Sequence, residues 1–133
     1  MTISVKVLRI LVRVLGVLQL VLGILFWTGN QYQMIPIHMM LGLLLVALLW
    51  TMAILAGLSR LPAPFVGVAL LWGAVVVWLG LNQASLLPGD LHWLIQVLHL
   101  AVGVALIGQV EMLAGRILRS MGRVARQPQA ATV

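Results

Sequence analysis

One uninterrupted hydrophobic run covers residues 35–57 and reads IPIHMMLGLLLVALLWTMAILAG. It holds no acidic or basic residue, and it exceeds the roughly 20 apolar residues with which an α-helix crosses the hydrocarbon layer of a membrane. Three further runs, at about residues 8–28, 63–82 and 91–114, are comparably long and apolar. The sequence therefore predicts four transmembrane helices.

The composition excludes an ordinary soluble domain. Of the 133 residues, 63% are hydrophobic and 8% are charged, whereas soluble domains carry about 25% charged residues. The net charge is +6, but the bases cluster where hydrophobic runs end, so they indicate membrane orientation rather than nucleic-acid binding. The absence of cysteine excludes disulfides, thiolate metal sites, iron–sulfur clusters and covalent c-type haem attachment.

Short breaks separate the four runs. Gly29 and Asn30 follow the first run, Pro36 suits the opening turn of the second, and the segments 59–64 and 88–90 precede the third and fourth. Loops this short force neighbouring helices to be antiparallel. We therefore predict an all-α integral membrane protein whose fold is a four-helix transmembrane bundle.

All the basic residues fall on one side of such a bundle, and the loops at residues 29–34 and 83–90 carry none. This asymmetry predicts a multi-pass protein of the bacterial inner (plasma) membrane with both termini in the cytoplasm. The basic start of the chain resembles a signal peptide, but Trp27–Asn30 offers no small-residue cleavage site, so we expect a retained helix. An aromatic belt is expected at the opposite interface: Trp27, Tyr32, Trp78 and Trp93.

The C-terminal segment, residues 116–133, differs in character from the transmembrane domain at residues 1–115. Its arginines recur at three- and four-residue steps, which places them on one helical face: Arg116, Arg119, Arg123 and Arg126. This pattern predicts either a helix extension lying on anionic lipid head groups or a flank that merely fixes orientation. Residues 127–133 are expected to be disordered.

The two halves of the chain share a short sequence motif. His38 is followed after four residues by Gly42, and His99 is followed in the same way by Gly103; each phrase lies on the second helix of a hairpin. A repeat of this kind predicts a pseudo-twofold axis along the membrane normal. That axis would place the second and fourth helices across from each other, with the histidines facing inward.

The fourth helix carries the densest polar stripe, because His92, Gln96, His99 and Gly103 share one face. Lipid cannot satisfy polar groups, so this face should look into the bundle.

The preferred hypothesis for these residues is a haem b site with His38 and His99 as axial ligands of the iron. Gly42 and Gly103 would let the flat macrocycle approach the helices closely. His92 is a rival ligand, or it could hydrogen-bond a haem propionate or a quinone. The alternative hypothesis is that the histidines only make interhelical hydrogen bonds.

Other polar residues inside the spans have structural explanations. Glu111 is the only acid in a span, and we expect it to pair with Arg60 or with an arginine of residues 116–126, while a proton relay is the alternative. Gln19, Thr51 and Gln109 are expected to make interhelical hydrogen bonds.

The chain resembles one four-helix half of a haem A synthase, over about residues 8–115. Residues 35–39, Ile-Pro-Ile-His-Met, stand in the place of the family's Glu-x-x-His-Arg phrase, and residues 98–101, Leu-His-Leu-Ala, are similar to its later histidine phrase. The 61-residue interval from His38 to His99 is also similar. Cytochrome b561-like bundles place their ligands comparably. The resemblance implies a haem held near the outer face.

Departures from that family limit what the resemblance implies. Ile35 stands where the family has its mechanistic glutamate, Met39 replaces the arginine, and there is neither an outer cysteine pair nor a second half. The resemblance thus implies the haem-holding scaffold and gives no support to hydroxylation of a haem methyl group.

Two functions from different classes follow. The first is a small cytochrome b-like subunit, without a catalytic constellation of its own, that passes electrons within a respiratory or photosynthetic membrane complex. The second is a cofactor-free accessory subunit that stabilises a larger complex. In both cases the expected partners are other integral membrane subunits, and no nucleic acid is expected.

Overall fold

The computed structural model of the protein describes the backbone of residues 1–29 and 31–130, and the side chains as far as residue 122. Four α-helices follow one another: α1 (Thr2–Trp27), α2 (Ile35–Leu58), α3 (Ala63–Asn82) and α4 (His92–Ala130). No strand occurs among these residues. Each helix is long and apolar enough to cross a membrane, which confirms the prediction of an all-helical chain with four potential spans.

The helices begin and end where the sequence offers breakers. Gly29 (φ +79°) follows α1, and Pro36 lies in the first turn of α2, where its missing N–H is not needed. Arg60 (φ +57°) adopts the left-handed conformation after α2, so the Leu61 N–H can donate to the Ala56 carbonyl oxygen at 3.0 Å.

Helix α4 continues past its apolar run. That run ends near residue 114, and the helix extends to Ala130. The disorder expected for residues 127–133 stays a prediction. Residues 131–133 lie outside the described part of the chain. Helix α1 likewise begins at Thr2, ahead of its apolar run. The basic flanks therefore extend the helices of the bundle.

Helices α2 and α4 form the centre of the packing. Each of them contacts the other three helices, whereas α1 and α3 both pack against α2 and α4. The larger cluster of buried side chains lies in the half of the bundle that carries the bases and includes Leu49, Met52, Leu113 and Ile117. The half that carries the histidines has a smaller cluster of three buried residues: Leu79, Ile95 and Val102.

Two tryptophans form hydrogen bonds between α3 and its neighbouring helices. The Trp50 indole N–H donates to the Leu70 carbonyl oxygen at 3.1 Å, and the Trp72 indole N–H donates to the Val102 carbonyl oxygen at 3.1 Å. The Trp50 ring lies so close to Gly73 that a Cβ at position 73 would overlap it. An indole N–H in hydrocarbon needs an acceptor, so both rings have a defined orientation.

Replacing Gly73 by alanine should destabilise the bundle, since the added methyl group would overlap the Trp50 indole. We expect a loss of about 1–3 kcal/mol, as is typical of overpacking, measured by thermal unfolding in detergent followed by circular dichroism. Gly67→Ala on the same helix is the control, because nothing lies within 4 Å of a Cβ there. Equal effects of the two substitutions would contradict this account of the α2–α3 contact.

Candidate functional site

The structure brings His38 and His99 together between α2 and α4. The centroids of the two imidazole rings are 6.2 Å apart, and the ring planes are inclined by 46°. Both residues are partly buried. His38 lies about a turn into α2 and His99 about two turns into α4. The two rings nevertheless lie next to each other.

Three further residues lie beside this histidine pair. None of them belongs to the polar stripe of α4. The Phe26 ring meets the His38 ring edge-on, with the ring centroids 5.3 Å apart. The Gln19 side-chain N–H donates to the His38 carbonyl oxygen at 3.0 Å, an interhelical hydrogen bond as expected for Gln19. Gly80 of α3 approaches His99, since a Cβ at position 80 would lie 3.4 Å from the His99 Cε1 atom.

Three buried polar atoms of these residues have no hydrogen-bond partner among the described residues: His38 Nδ1, His99 Nδ1 and Gln19 Oε1. A buried polar atom without a partner costs about 1–3 kcal/mol. Three such atoms on neighbouring side chains therefore indicate that a further group could bind here.

The separation of the rings fits one metal ion held from two sides. Metal–imidazole bonds are about 2.0–2.1 Å long, which places the centres of two imidazoles on opposite sides of one ion roughly 6 Å apart. The observed 6.2 Å between His38 and His99 agrees with this distance. Larger metal clusters have no support, because no group of three or more His, Asp or Glu among the described residues could hold a metal ion.

The other predicted site residues occupy different positions. Gly103 borders open space, since a Cβ there would meet nothing within 4 Å, whereas a Cβ at Gly42 would lie 3.0 Å from Gln19 Nε2. Gln96 is partly buried in α4. His92 lies at the start of α4 with its Nδ1 3.1 Å from the Leu86 carbonyl oxygen, so it contacts the loop between α3 and α4 rather than the histidine pair.

The interval of 61 residues relates contacts as well as sequence. Position 38 in the first half corresponds to position 99 in the second, and position 19 corresponds to position 80. Gln19 contacts His38, and Gly80 contacts His99. In the same way Trp50 on α2 corresponds to Glu111 on α4, and Leu70 on α3 corresponds to Arg9 on α1. Trp50 contacts Leu70, and Glu111 contacts Arg9. Corresponding positions of the two hairpins thus meet corresponding partners.

Glu111 binds two arginines of α1, so the expected pairing with Arg60 or with the 116–126 stretch is wrong. Its Oε2 atom lies 2.5 Å from an Arg9 terminal nitrogen, and its Oε1 atom accepts from Arg13 Nε at 2.6 Å. The physical reason is the packing of α1 along α4, which sets two arginines one turn apart opposite the carboxylate. Arg116 instead stacks over the Phe65 ring of α3, 4.0 Å from its centroid.

The hydrogen bonds expected of Thr51 and Gln109 are not interhelical. Thr51 Oγ1 donates to the Ala47 carbonyl oxygen in the preceding turn of its own helix, at 2.8 Å. The Gln109 side chain makes no hydrogen bond to any residue that the structure describes.

Comparison with family models, with curated proteins and with solved structures finds no match to this chain. The resemblance to a haem A synthase half or to a cytochrome b561-like bundle therefore stays a prediction.

Glu111→Gln should lower the thermal stability of the protein in detergent, because the neutral amide leaves Arg9 and Arg13 without a counter-charge inside a membrane span. The matched control is Asp90→Asn, which removes the other carboxylate of the chain from the exposed outer loop. We expect a clear fall in the unfolding temperature for the first variant and little change for the second. Similar unfolding temperatures for both variants would show that the ion pair does not hold α1 to α4.

Proposed function

We propose that this protein binds one b-type haem between α2 and α4, with His38 and His99 as the axial ligands, and that it transfers electrons within a membrane complex. The observation that carries the proposal is the 6.2 Å separation of the two rings, each with a buried Nδ1 that lacks a partner. Imidazole pairs of this kind are suited to hold iron from both sides.

The surroundings of the histidine pair support a flat ligand. Gly80 packs against His99, and Gly103, one turn along α4, leaves open space beside the helix. The half of the bundle that contains these residues also has the smaller buried cluster. Glycines at these positions would let a planar group approach the helices closely, whereas the half with the bases holds the larger buried cluster.

The histidines and glutamines near the proposed site have different roles. His38 and His99 hold the iron, and the haem, when bound, supplies one-electron chemistry. The Gln19 amide fixes the start of α2 through the His38 carbonyl oxygen, and its unpartnered Oε1 is a candidate acceptor for an imidazole N–H. His92 and Gln96, on the outer side of His99, are candidates to meet a haem propionate or a quinone.

Electron partners are expected inside the membrane. Large apolar side chains are exposed along all four helices, including Ile10 and Val14 on α1 and Leu71 on α3. The short loops offer little surface for a soluble partner. We therefore propose that the partners are other integral membrane subunits, with anionic lipid head groups at the C-terminal arginines 116, 119, 123 and 126.

The proposed topology places both termini and the loop at Arg60 in the cytoplasm of an inner or plasma membrane. It also includes antiparallel neighbours and a pseudo-twofold axis that relates the two hairpins. The corresponding contacts at the 61-residue interval support this axis, as does the central position of α2 and α4.

The haem proposal predicts a Soret band, and sharp α and β bands on dithionite reduction, in protein purified after haem-supplemented expression. His38→Ala and His99→Ala should each remove or broaden these bands, because one axial ligand is lost. His92→Ala is the matched control and should retain them, since its ring contacts the outer loop.

Two results would contradict the proposal in different ways. Loss of the bands in His92→Ala alone would mean that the ligand pair is misassigned. Protein that stays colourless despite a haem supply would favour the alternative function, a cofactor-free accessory subunit in which the two imidazoles only pack against each other and against Phe26.

The topology can be tested by single cysteines, because no native cysteine competes for label. Ser59→Cys, before Arg60, should react with an impermeant maleimide only after the cytoplasmic side is opened. Ser85→Cys, in the outer loop, should react in intact cells. The opposite pattern, or equal labelling of both variants from one side, would overturn the proposed orientation.

A further inference from the structure

A groove separate from the histidine pair runs between α1 and α4. Its volume is about 370 Å³, which lies within the range of roughly 300–1,000 Å³ for small-molecule sites. One end of the groove is charged and the remainder is apolar. The residues that define it are Arg13, Val17 and Leu20 on α1 and Ile107, Gly108 and Glu111 on α4.

Gly108 lines the groove and is exposed. A Cβ at this position would meet nothing within 4 Å, so the missing side chain leaves open space beside Ile107. From Arg13 to Leu20 the apolar wall extends for about 10 Å along α1, at 1.5 Å per residue. An extended acyl chain could lie along this wall.

The charged end carries a net positive charge. Glu111 is shared by Arg9 and Arg13, so two guanidinium groups meet a single carboxylate. The side chain of Arg13 is 55% exposed, compared with 34% for that of Arg9, so Arg13 is the more accessible cation. It can accept a further anion without giving up its bonds to Glu111.

The depth of Arg13 agrees with a ligand from the lipid head-group region. Arg13 lies about 21 Å along α1 from Trp27, at 1.5 Å per residue. If Trp27 lies at one interface, Arg13 is inside a hydrocarbon layer of about 30 Å, and its long side chain must reach toward the nearer head groups. The groove leads from that point toward the middle of the membrane.

We infer that this groove is a binding site for one anionic phospholipid, with the phosphate at Arg13 and one acyl chain between α1 and α4. A second copy of the chain is a poorer occupant on charge grounds. The chain has only two acidic side chains, of which Glu111 is already paired and Asp90 lies in the outer loop, so a copy brings no free acidic side chain to Arg13. The site does not depend on haem.

The test is native mass spectrometry of the delipidated full-length protein, titrated with phosphatidylglycerol or with phosphatidylcholine of the same acyl chains. The wild type should retain one phosphatidylglycerol in preference to phosphatidylcholine. Arg13→Gln should weaken that preference about fivefold, the effect of one charge near a lipid surface, and Arg13→Lys should largely keep it.

Gly108→Leu tests the groove without removing a charge. The leucine fills part of the groove and should weaken the binding of both lipids. Gly67→Leu, at an equally open glycine on α3, should leave binding unchanged. Helical content measured by circular dichroism shows that each variant is folded. Equal affinity for the two lipids, an unaltered affinity in Gly108→Leu, or a dimer that forms in place of the lipid complex would overturn the inference.

Discussion

In hydrocarbon a polar side chain finds no partner except another polar group of the protein, and this constraint organises the whole bundle. Trp50 and Trp72 donate to carbonyl oxygens of neighbouring helices, and Glu111 holds two arginines. The two imidazoles depart from this pattern, because each keeps a buried nitrogen without a partner among the described residues although the rings lie next to each other. It is this contrast, more than the presence of histidine, that supports a ligand between α2 and α4.

The two hairpins use corresponding positions for different purposes. The contact made by Trp50 in one half is made by Glu111 in the other, so an indole bonded to a carbonyl oxygen corresponds to an ion pair. Both contacts lie toward the half of the bundle that carries the bases, where the larger buried cluster also lies. The histidines lie in the half with the smaller buried cluster.

The four spans and the proximity of His38 and His99 could be predicted from the sequence, because the length of an apolar run and a repeated motif are read directly from it. It did not identify Phe26 or Gly80 as neighbours of the histidines, nor Arg9 and Arg13 as partners of Glu111, since these depend on which helices pack side by side. The 61-residue interval could have pointed to Gly80 through Gln19. The continuation of α4 beyond its apolar run could be anticipated, because the arginines of its basic end recur at three- and four-residue steps.

The most direct test of the central claim is the low-temperature EPR spectrum of the oxidised, haem-loaded protein. If His38 and His99 hold the same iron, the wild type should give a low-spin ferric signal, and alanine at either position should convert it to a high-spin signal. A wild-type spectrum that is already high-spin, or a low-spin signal that survives His99→Ala, would contradict the account.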